Sequence, residues 1–295
     1  MSPHELPHFL GIGAQKAATT WLDRCLRVHP GLWLPPIKEL HYFTHRREDL
    51  RPGVTGRLLG TDWVNQRLRR ILGRRLLSDV RFLDLAGLRW DLRFFLGSRS
   101  DAWYRSLFQD GSPRLTGEIT PEYSSLSAEE VGRVREAFPH LKLLYMMRDP
   151  IDRAWSQIRM IARRRRWPLA TMPEETALEL ARDSVVLVRS GYRSTLENWG
   201  LHFPPDQFFV AFLEDVQSSP RELLFDLFRF LGVESDDSFL PSDLFRPVHR
   251  GIDHPIPKLL ELELARVHLD DLRVLEGRFG FPVSAWRERA ERVLE

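Results

Sequence analysis

The chain has 295 residues, of which 43% are apolar and 28% charged, a globular balance that excludes a disordered or fibrous protein. Lys plus Arg is 43 against 41 for Asp plus Glu, a formal net charge of +2 that argues against a dedicated nucleic-acid binder. The basic residues are four lysines and 39 arginines, so each position that keeps lysine where arginine serves elsewhere invites a chemical reason.

The lone cysteine, Cys25, excludes an internal disulfide and a cysteine-based metal site, and leads to the expectation of a reducing compartment. No apolar run reaches the ~18 residues of a membrane span. The segment MSPHELPHFLGIGAQ lacks the basic start and long apolar stretch of a signal peptide, so the expectation is a soluble cytoplasmic protein.

Taken in chain order, Phe9 to Gly13 predicts the first strand, and a helix follows from about Thr19 to Val28, closed by His29-Pro30-Gly31. Residues 45 to 110 are rich in Arg, Leu and Trp, with helical spacing in VNQRLRRILGRRLL and DAWYRSLF. They read as a helical insertion, because the segment has no core of its own. Strand character returns at Arg114 to Glu118. The continuous apolar run Leu141 to Met147 suits a buried central strand. Asp149-Pro150 opens a helix, with Asp149 as N-cap and Pro150 in the first turn. Phe208 to Leu213 is a further strand. Ser219-Pro220-Arg221-Glu222 predicts a capping box on a helix ending near Gly232, and a long helix covers about Lys258 to Gly277. The expected fold is a single α/β domain over 1–295, a central parallel sheet flanked by helices on both faces.

In such a sheet ligands bind beyond the C-terminal ends of the strands. The loop in FLGIGAQKAATTWL feeds a helix N-terminus there, with small residues, two threonines and Lys16, a setting for a phosphate. It departs from the nucleotide P-loop GxxxxGK[ST], since Lys16 precedes the small pair and Ala18 holds the second glycine position. An ordinary strand-to-helix turn would look similar, so the loop alone does not decide the function.

QKAATTWL and the following KELHYF (Lys38 to Phe43) resemble the sulfotransferases that use 3′-phosphoadenosine 5′-phosphosulfate, in the branch of the heparan sulfate enzymes and bacterial relatives. GEITPEY (Gly117 to Tyr123), RDPIDRAWS (Arg148 to Ser156), SGYRSTLENW and FLEDVQSSP are similar to further landmarks of that family, in order along the chain. The resemblance implies a P-loop-like sulfotransferase architecture. Lys16 would sit at the oxygen bridging sulfate and 5′-phosphate, with Ala17, Ala18, Thr19 and Thr20 holding that phosphate. Glu39 would be the catalytic base, with His41 as the other candidate, and Lys38 would touch the sulfate or orient Glu39. Arg148 and Ser156 would grip the 3′-phosphate. Tyr192 would lie near the nucleotide, and Arg250 and Gly251 would belong to a loop closing over its phosphates. The product would be adenosine 3′,5′-bisphosphate.

No cluster demands a metal, so none is expected. Expected partners are a small-molecule, glycan or lipid acceptor, with no nucleic acid and no membrane span. The acceptor itself is unassigned. The insertion and its aromatics Trp63, Trp90, Trp103 and Tyr104 are candidate specificity elements. Two other classes stay open on the residues alone: a P-loop kinase or NTPase, needing a metal-holding carboxylate where Arg148 and Asp149 stand, and a non-catalytic nucleotide- or RNA-binding protein. The tract Arg163 to Arg166 reads as a solvated helix end, with an acidic-substrate or nucleic-acid patch as the alternative.

Overall fold

The computed structural model describes residues 6–44, 73, 84–167, 172–245 and 254–295. Five parallel strands, β1 (Phe9–Gly13), β2 (Leu32–Trp33), β3 (Leu115–Ile119), β4 (Lys142–Met147) and β5 (Phe208–Phe212), form one sheet in the order β2-β3-β1-β4-β5. β1 is buried along its whole length and β4 from Leu143 onward, as strands covered on both faces must be. Their near-continuous apolar sequences are what made them legible.

The helices are α1 (Thr19–Val28), α2 (Leu85–Leu96), α3 (Asp101–Ser106), α4 (Ala128–Ala137), α5 (Pro150–Arg165), α6 (Glu174–Arg182), α7 (Ser184–Val188), α8 (Tyr192–Gly200), α9 (Leu213–Ser218), α10 (Pro220–Leu231), α11 (Lys258–Phe279) and α12 (Val283–Leu294). The chain leaves β1 through α1 for the β2 edge, then crosses from β3 over β1 to β4 and on to β5. With right-handed crossovers that reversal sends helices to opposite faces of the sheet. His29, just after α1, packs its ring against Phe228 of α10 with centroids 4.5 Å apart, which joins the first and late helices in one layer.

Several expectations need adjusting. Ser219 does start α10, but its side chain caps nothing. Its N–H closes α9 by donating to the Asp215 carbonyl at 2.9 Å, so one residue ends one helix and begins the next in a conformation set by the first task. α6 to α8 and α12 lack the long apolar runs that identified the strands, and the sequence reading missed them. Of the insertion, residues 45–72 and 74–83, with VNQRLRRILGRRLL and Trp63, lie outside the described residues except Gly73. Trp90, Trp103 and Tyr104 are not acceptor-facing: they are 1%, 7% and 0% exposed and belong to the main core. Their polar ends are satisfied internally, Trp90 Nε1 on the Leu107 carbonyl and Trp103 Nε1 on the Arg93 carbonyl. Aromatic rings on a short helix beside a sheet bury more area inward than any exposed ligand patch offers.

Candidate active site

Four segments meet at the C-terminal edge of the sheet around β1, the point where the strand order reverses: the loop after β1, the Lys38–Phe43 segment after β2, the Pro121–Ser125 turn after β3, and the β4–α5 junction. Such reversal points leave a crevice that side chains from neighbouring loops can line.

The loop after β1 runs close to its neighbours. A Cβ on Gly13 would stand 2.8 Å from Ser124 Cβ and 3.1 Å from the Tyr145 ring, so no side chain fits there. The Ala14 N–H donates to the Met146 carbonyl at 2.6 Å, pinning the loop to β4. Lys16 and Ala18 take left-handed φ values of 75° and 61°. Ala18 precedes α1 without any side-chain cap, so the positive end of the helix dipole at the start of α1 is not capped by a side chain.

Glu39 and His41 are also left-handed, at φ 65° and 53°. Four of the five non-glycine residues with positive φ among the described residues are therefore candidate site residues, the fifth being Arg166 at the end of α5. Each such conformation costs about 1–3 kcal/mol and persists only where the surroundings over-determine it. The surroundings here are explicit. The buried Glu118 carboxylate of β3 accepts from the Leu40 N–H at 3.1 Å, from Tyr104 Oη at 2.6 Å, from Tyr123 Oη at 2.8 Å and from Thr120 Oγ1 at 2.6 Å. Tyr123 Oη in turn accepts from the Tyr42 N–H at 2.9 Å. The backbone on both sides of His41 is thus fastened to β3. Glu118 and Tyr123 hold the Lys38–Phe43 segment in shape, while Tyr42 and Phe43 are core residues.

The polar side chains form a chain of contacts across the crevice. Lys38 Nζ donates to Thr20 Oγ1 at 3.2 Å and lies 3.9 Å from Glu39 Oε1. His41 Nε2 is 3.7 Å from Glu39 Oε2, and His41 Nδ1 is 3.1 Å from Glu122 Oε2. Arg189 bridges Glu122 Oε1 at 3.1 Å and Gln15 Oε1 at 2.8 Å, closing a circuit back to the β1 loop. Burial disfavours protonation of His41, but Glu122 and Glu39 outweigh it and raise its pKa to about 9. The hydrogen bond with His41, against burial and aided by Arg189, lowers Glu122 to about 2. Glu122, Arg189 and Gln15 were missed as a linked set. Glu122 and Gln15 lie inside quoted motifs, and nothing in a linear string says that Arg189 lies beside them.

Lys16 stands in a crowd of cations. Burial and then the guanidinium groups of Arg163, Arg148, Arg159 and Arg164 push its pKa below the ordinary lysine range. The exposed end of α5 is solvated as expected, yet its field reaches Lys16. Arg148 donates weakly to the Lys16 carbonyl at 3.5 Å, and its Nε is buried with no hydrogen-bond partner. An orphaned guanidinium donor, an uncapped helix start and several converging cations are features that fit a multiply charged anion. Ser156 is half-buried on α5, two turns past Arg148. Tyr192 is buried and its hydroxyl donates to the Arg148 carbonyl at 2.7 Å, so in this structure it fixes the backbone that carries Arg148. Arg250 and Gly251 lie outside the described residues.

Among the described residues, the carboxylate that stands where a kinase or NTPase reading needs one is Asp149. Asp149 caps α5 through the Ile151 N–H at 2.8 Å and pairs with Arg289 at 2.8 Å, and so is spent on structure. Among the described residues, no group of three or more His, Cys, Asp or Glu is placed to hold a metal ion, and no helix is long and apolar enough to cross a membrane.

The family model for sulfotransferases matches residues 7–237, more than three quarters of the chain. This protein belongs to the sulfotransferase family. Carbohydrate sulfotransferase 15 of Rattus norvegicus is 26% identical over 264 residues, covering 77% of this chain and 44% of that protein. The Homo sapiens protein of that name is 25% identical over 270 residues with the same coverage, so the chain spans less than half the length of these relatives. A sulfotransferase structure from Alicyclobacillus acidocaldarius superimposes with a TM-score of 0.62 at 24% identity, covering 95% of this chain and 98% of the other. The sulfotransferase domain from the Curacin biosynthetic pathway gives 0.58 at 19% identity over 90% and 98%. These likenesses show that the five-stranded parallel sheet with flanking helices is the sulfotransferase fold.

Proposed function

We propose that this sulfotransferase moves a sulfuryl group from 3′-phosphoadenosine 5′-phosphosulfate to a hydroxyl of a carbohydrate acceptor by in-line displacement. The donor is the one the family implies, and the acceptor class rests on the name of the carbohydrate sulfotransferase relatives. The observation that carries the reading is the convergence of Lys16, Arg148 and the uncapped start of α1 on one crevice, opposite a carboxylate held in a strained backbone.

When bound, the donor supplies the sulfuryl group and leaves as adenosine 3′,5′-bisphosphate. The backbone of Ala17 to Thr20 would hold the 5′-phosphate, and Arg148 with Ser156 the 3′-phosphate. Lys16 is a compact charge suited to tracking one oxygen as negative charge builds on it. Glu39 accepts the proton of the acceptor hydroxyl at a carboxylate oxygen. His41, kept as imidazolium by Glu122, has no free lone pair near neutral pH and so orients Glu39 instead of acting as the base. Lys38, between Thr20 and Glu39, ties the base to the phosphate loop.

The test is thermal stabilisation by adenosine 3′,5′-bisphosphate, AMP and ATP-Mg²⁺, followed by an acceptor screen reading donor consumption. At a hundred times its dissociation constant a ligand adds about 2.7 kcal/mol of stability. The bisphosphate should stabilise strongly and AMP, which lacks the 3′-phosphate, only weakly; stabilisation by ATP-Mg²⁺ alone would overturn the reading. Glu39→Gln should abolish turnover and leave bisphosphate affinity nearly unchanged, and substantial residual turnover would remove Glu39 from the role of base.

A further inference from the structure

The start of α5 poses an electrostatic problem. Arg148 is followed at once by Asp149 and, one turn on, by Asp152, whose Oδ2 lies 3.6 Å from Arg148 Nη2. Two carboxylates beside the guanidinium would neutralise it and repel a phosphate brought to it. The fold answers from a distant part of the chain. Arg289 of α12, 140 residues beyond Asp149, sends Nη1 to Asp149 Oδ2 at 2.8 Å and to Asp152 Oδ1 at 2.9 Å. Its Nη2 donates to Glu261 Oε1 of α11 at 2.7 Å, which fixes the fork in place. Asp152 bridges the two arginines, with Oδ1 at hydrogen-bond distance from Arg289 and Oδ2 in a looser ion pair with Arg148, whose buried Nε has no hydrogen-bond partner. Arg289 lies outside the stretch that the family model matches.

We propose that Arg289 is a positioning residue for the 3′-phosphate: by engaging Asp149 and Asp152 it leaves the Arg148 guanidinium for the nucleotide. The proposal rests on the reading of Arg148 as the 3′-phosphate ligand. The C-terminal helices are then part of the donor site as well as packing. Arg289 touches no ligand itself. Its effect should appear only for ligands that carry a 3′-phosphate, which separates it from a plain strut between α12 and α5.

The experiment is calorimetric titration of the full chain with adenosine 3′,5′-bisphosphate and with AMP. Arg289→Met should weaken the bisphosphate by roughly tenfold and leave AMP within about twofold, the scale of one unit charge acting across partly shielded protein. Asp152→Asn in the Arg289→Met background should restore most of the loss, because the offending charge is then gone. Equal weakening of both nucleotides, or no rescue by Asp152→Asn, would reduce Arg289 to a strut and overturn the proposal. Where Arg289→Met does not fold, Asp152→Asn alone should tighten the bisphosphate without changing AMP; an unchanged ratio counts against the proposal. Arg148→Met is the control on its foundation. If that variant keeps full discrimination between the two nucleotides, the Arg148 assignment fails and the proposal falls with it, whereas loss of discrimination in Arg148→Met but not in Arg289→Met refutes the proposal alone.

Discussion

Glu118→Gln is the sharpest probe of how the site is held. Glu118 is 2% exposed and no cation pairs with it in the described network; its two oxygens receive four donors. An amide offers one acceptor oxygen. The Leu40 N–H cannot rotate, so the amide oxygen should face Leu40 and Thr120, and its NH₂ should face the Tyr104 and Tyr123 hydroxyls, which can turn to accept. Hydrogen bonds to a charged acceptor are worth about 1.5–3 kcal/mol against about 0.5–1.5 for neutral ones, so four weakened bonds should cost about 4–6 kcal/mol. Burial first, and then the Glu118 charge, hold both tyrosine protons far above their usual pKa, so neither hydroxyl can compensate by ionising. Urea unfolding with an unchanged m-value measures the loss. Because Leu40 and Tyr42 flank His41, turnover should also fall more than bisphosphate affinity does. A loss below about 1 kcal/mol with wild-type turnover would refute the argument that this carboxylate enforces the strained Lys38–Phe43 segment.

The His41–Glu122 pair should make stability depend on pH. His41 is raised from about 6.5 to about 9, so its contribution is complete below pH 6.5 and is lost as pH rises through 9. Glu122, lowered to about 2, contributes fully above about pH 4.5, and the pair weakens as pH falls toward 2. The stability difference between wild type and Glu122→Gln should be largest near pH 5–6 and shrink toward pH 9; a constant difference from pH 6 to 9.5 would contradict the pairing. Lys16, depressed by burial and by its arginine neighbours, should take up a proton when an anion binds, so titrations at alkaline pH in buffers of different ionisation heat should reveal proton uptake that vanishes in Lys16→Ala. Lys16→Arg should not restore turnover, since a guanidinium fork is broader than the ammonium it replaces.

Much of the fold could be read from the linear order of residues. β1 and α1 fall where the apolar run and the closing His-Pro-Gly place them, β4 is a buried run that can be only a central strand, and Asp149-Pro150 opens α5 through chemistry confined to one turn. The candidate residues on the loops after β1 and β2 were picked out through motifs that each lie in one short segment, with their roles implied by the resemblance, and the fold brings Lys38 beside Thr20 and Glu39. What spacing cannot carry is orientation. Trp90, Trp103 and Tyr104 look like ligand-binding aromatics in a string and are core residues in space. Ser219 looks like a cap and closes the preceding helix instead.

By itself, then, the sequence determined the α/β class, the strand ends that carry Lys16 and Arg148, and the four-lysine economy that drew attention to Lys16 and Lys38. Tertiary structure alone decided the partners. Glu118 meets a backbone 78 positions away, Arg189 meets Gln15 across 174, and Arg289 meets Asp149 across 140. The reason is physical. Local preference acts over one turn of chain, whereas the charge state of His41, the freedom of Arg148 and the strain at Glu39 depend on which groups the sheet brings within about 3–4 Å, the range where burial makes hydrogen bonds and charges count.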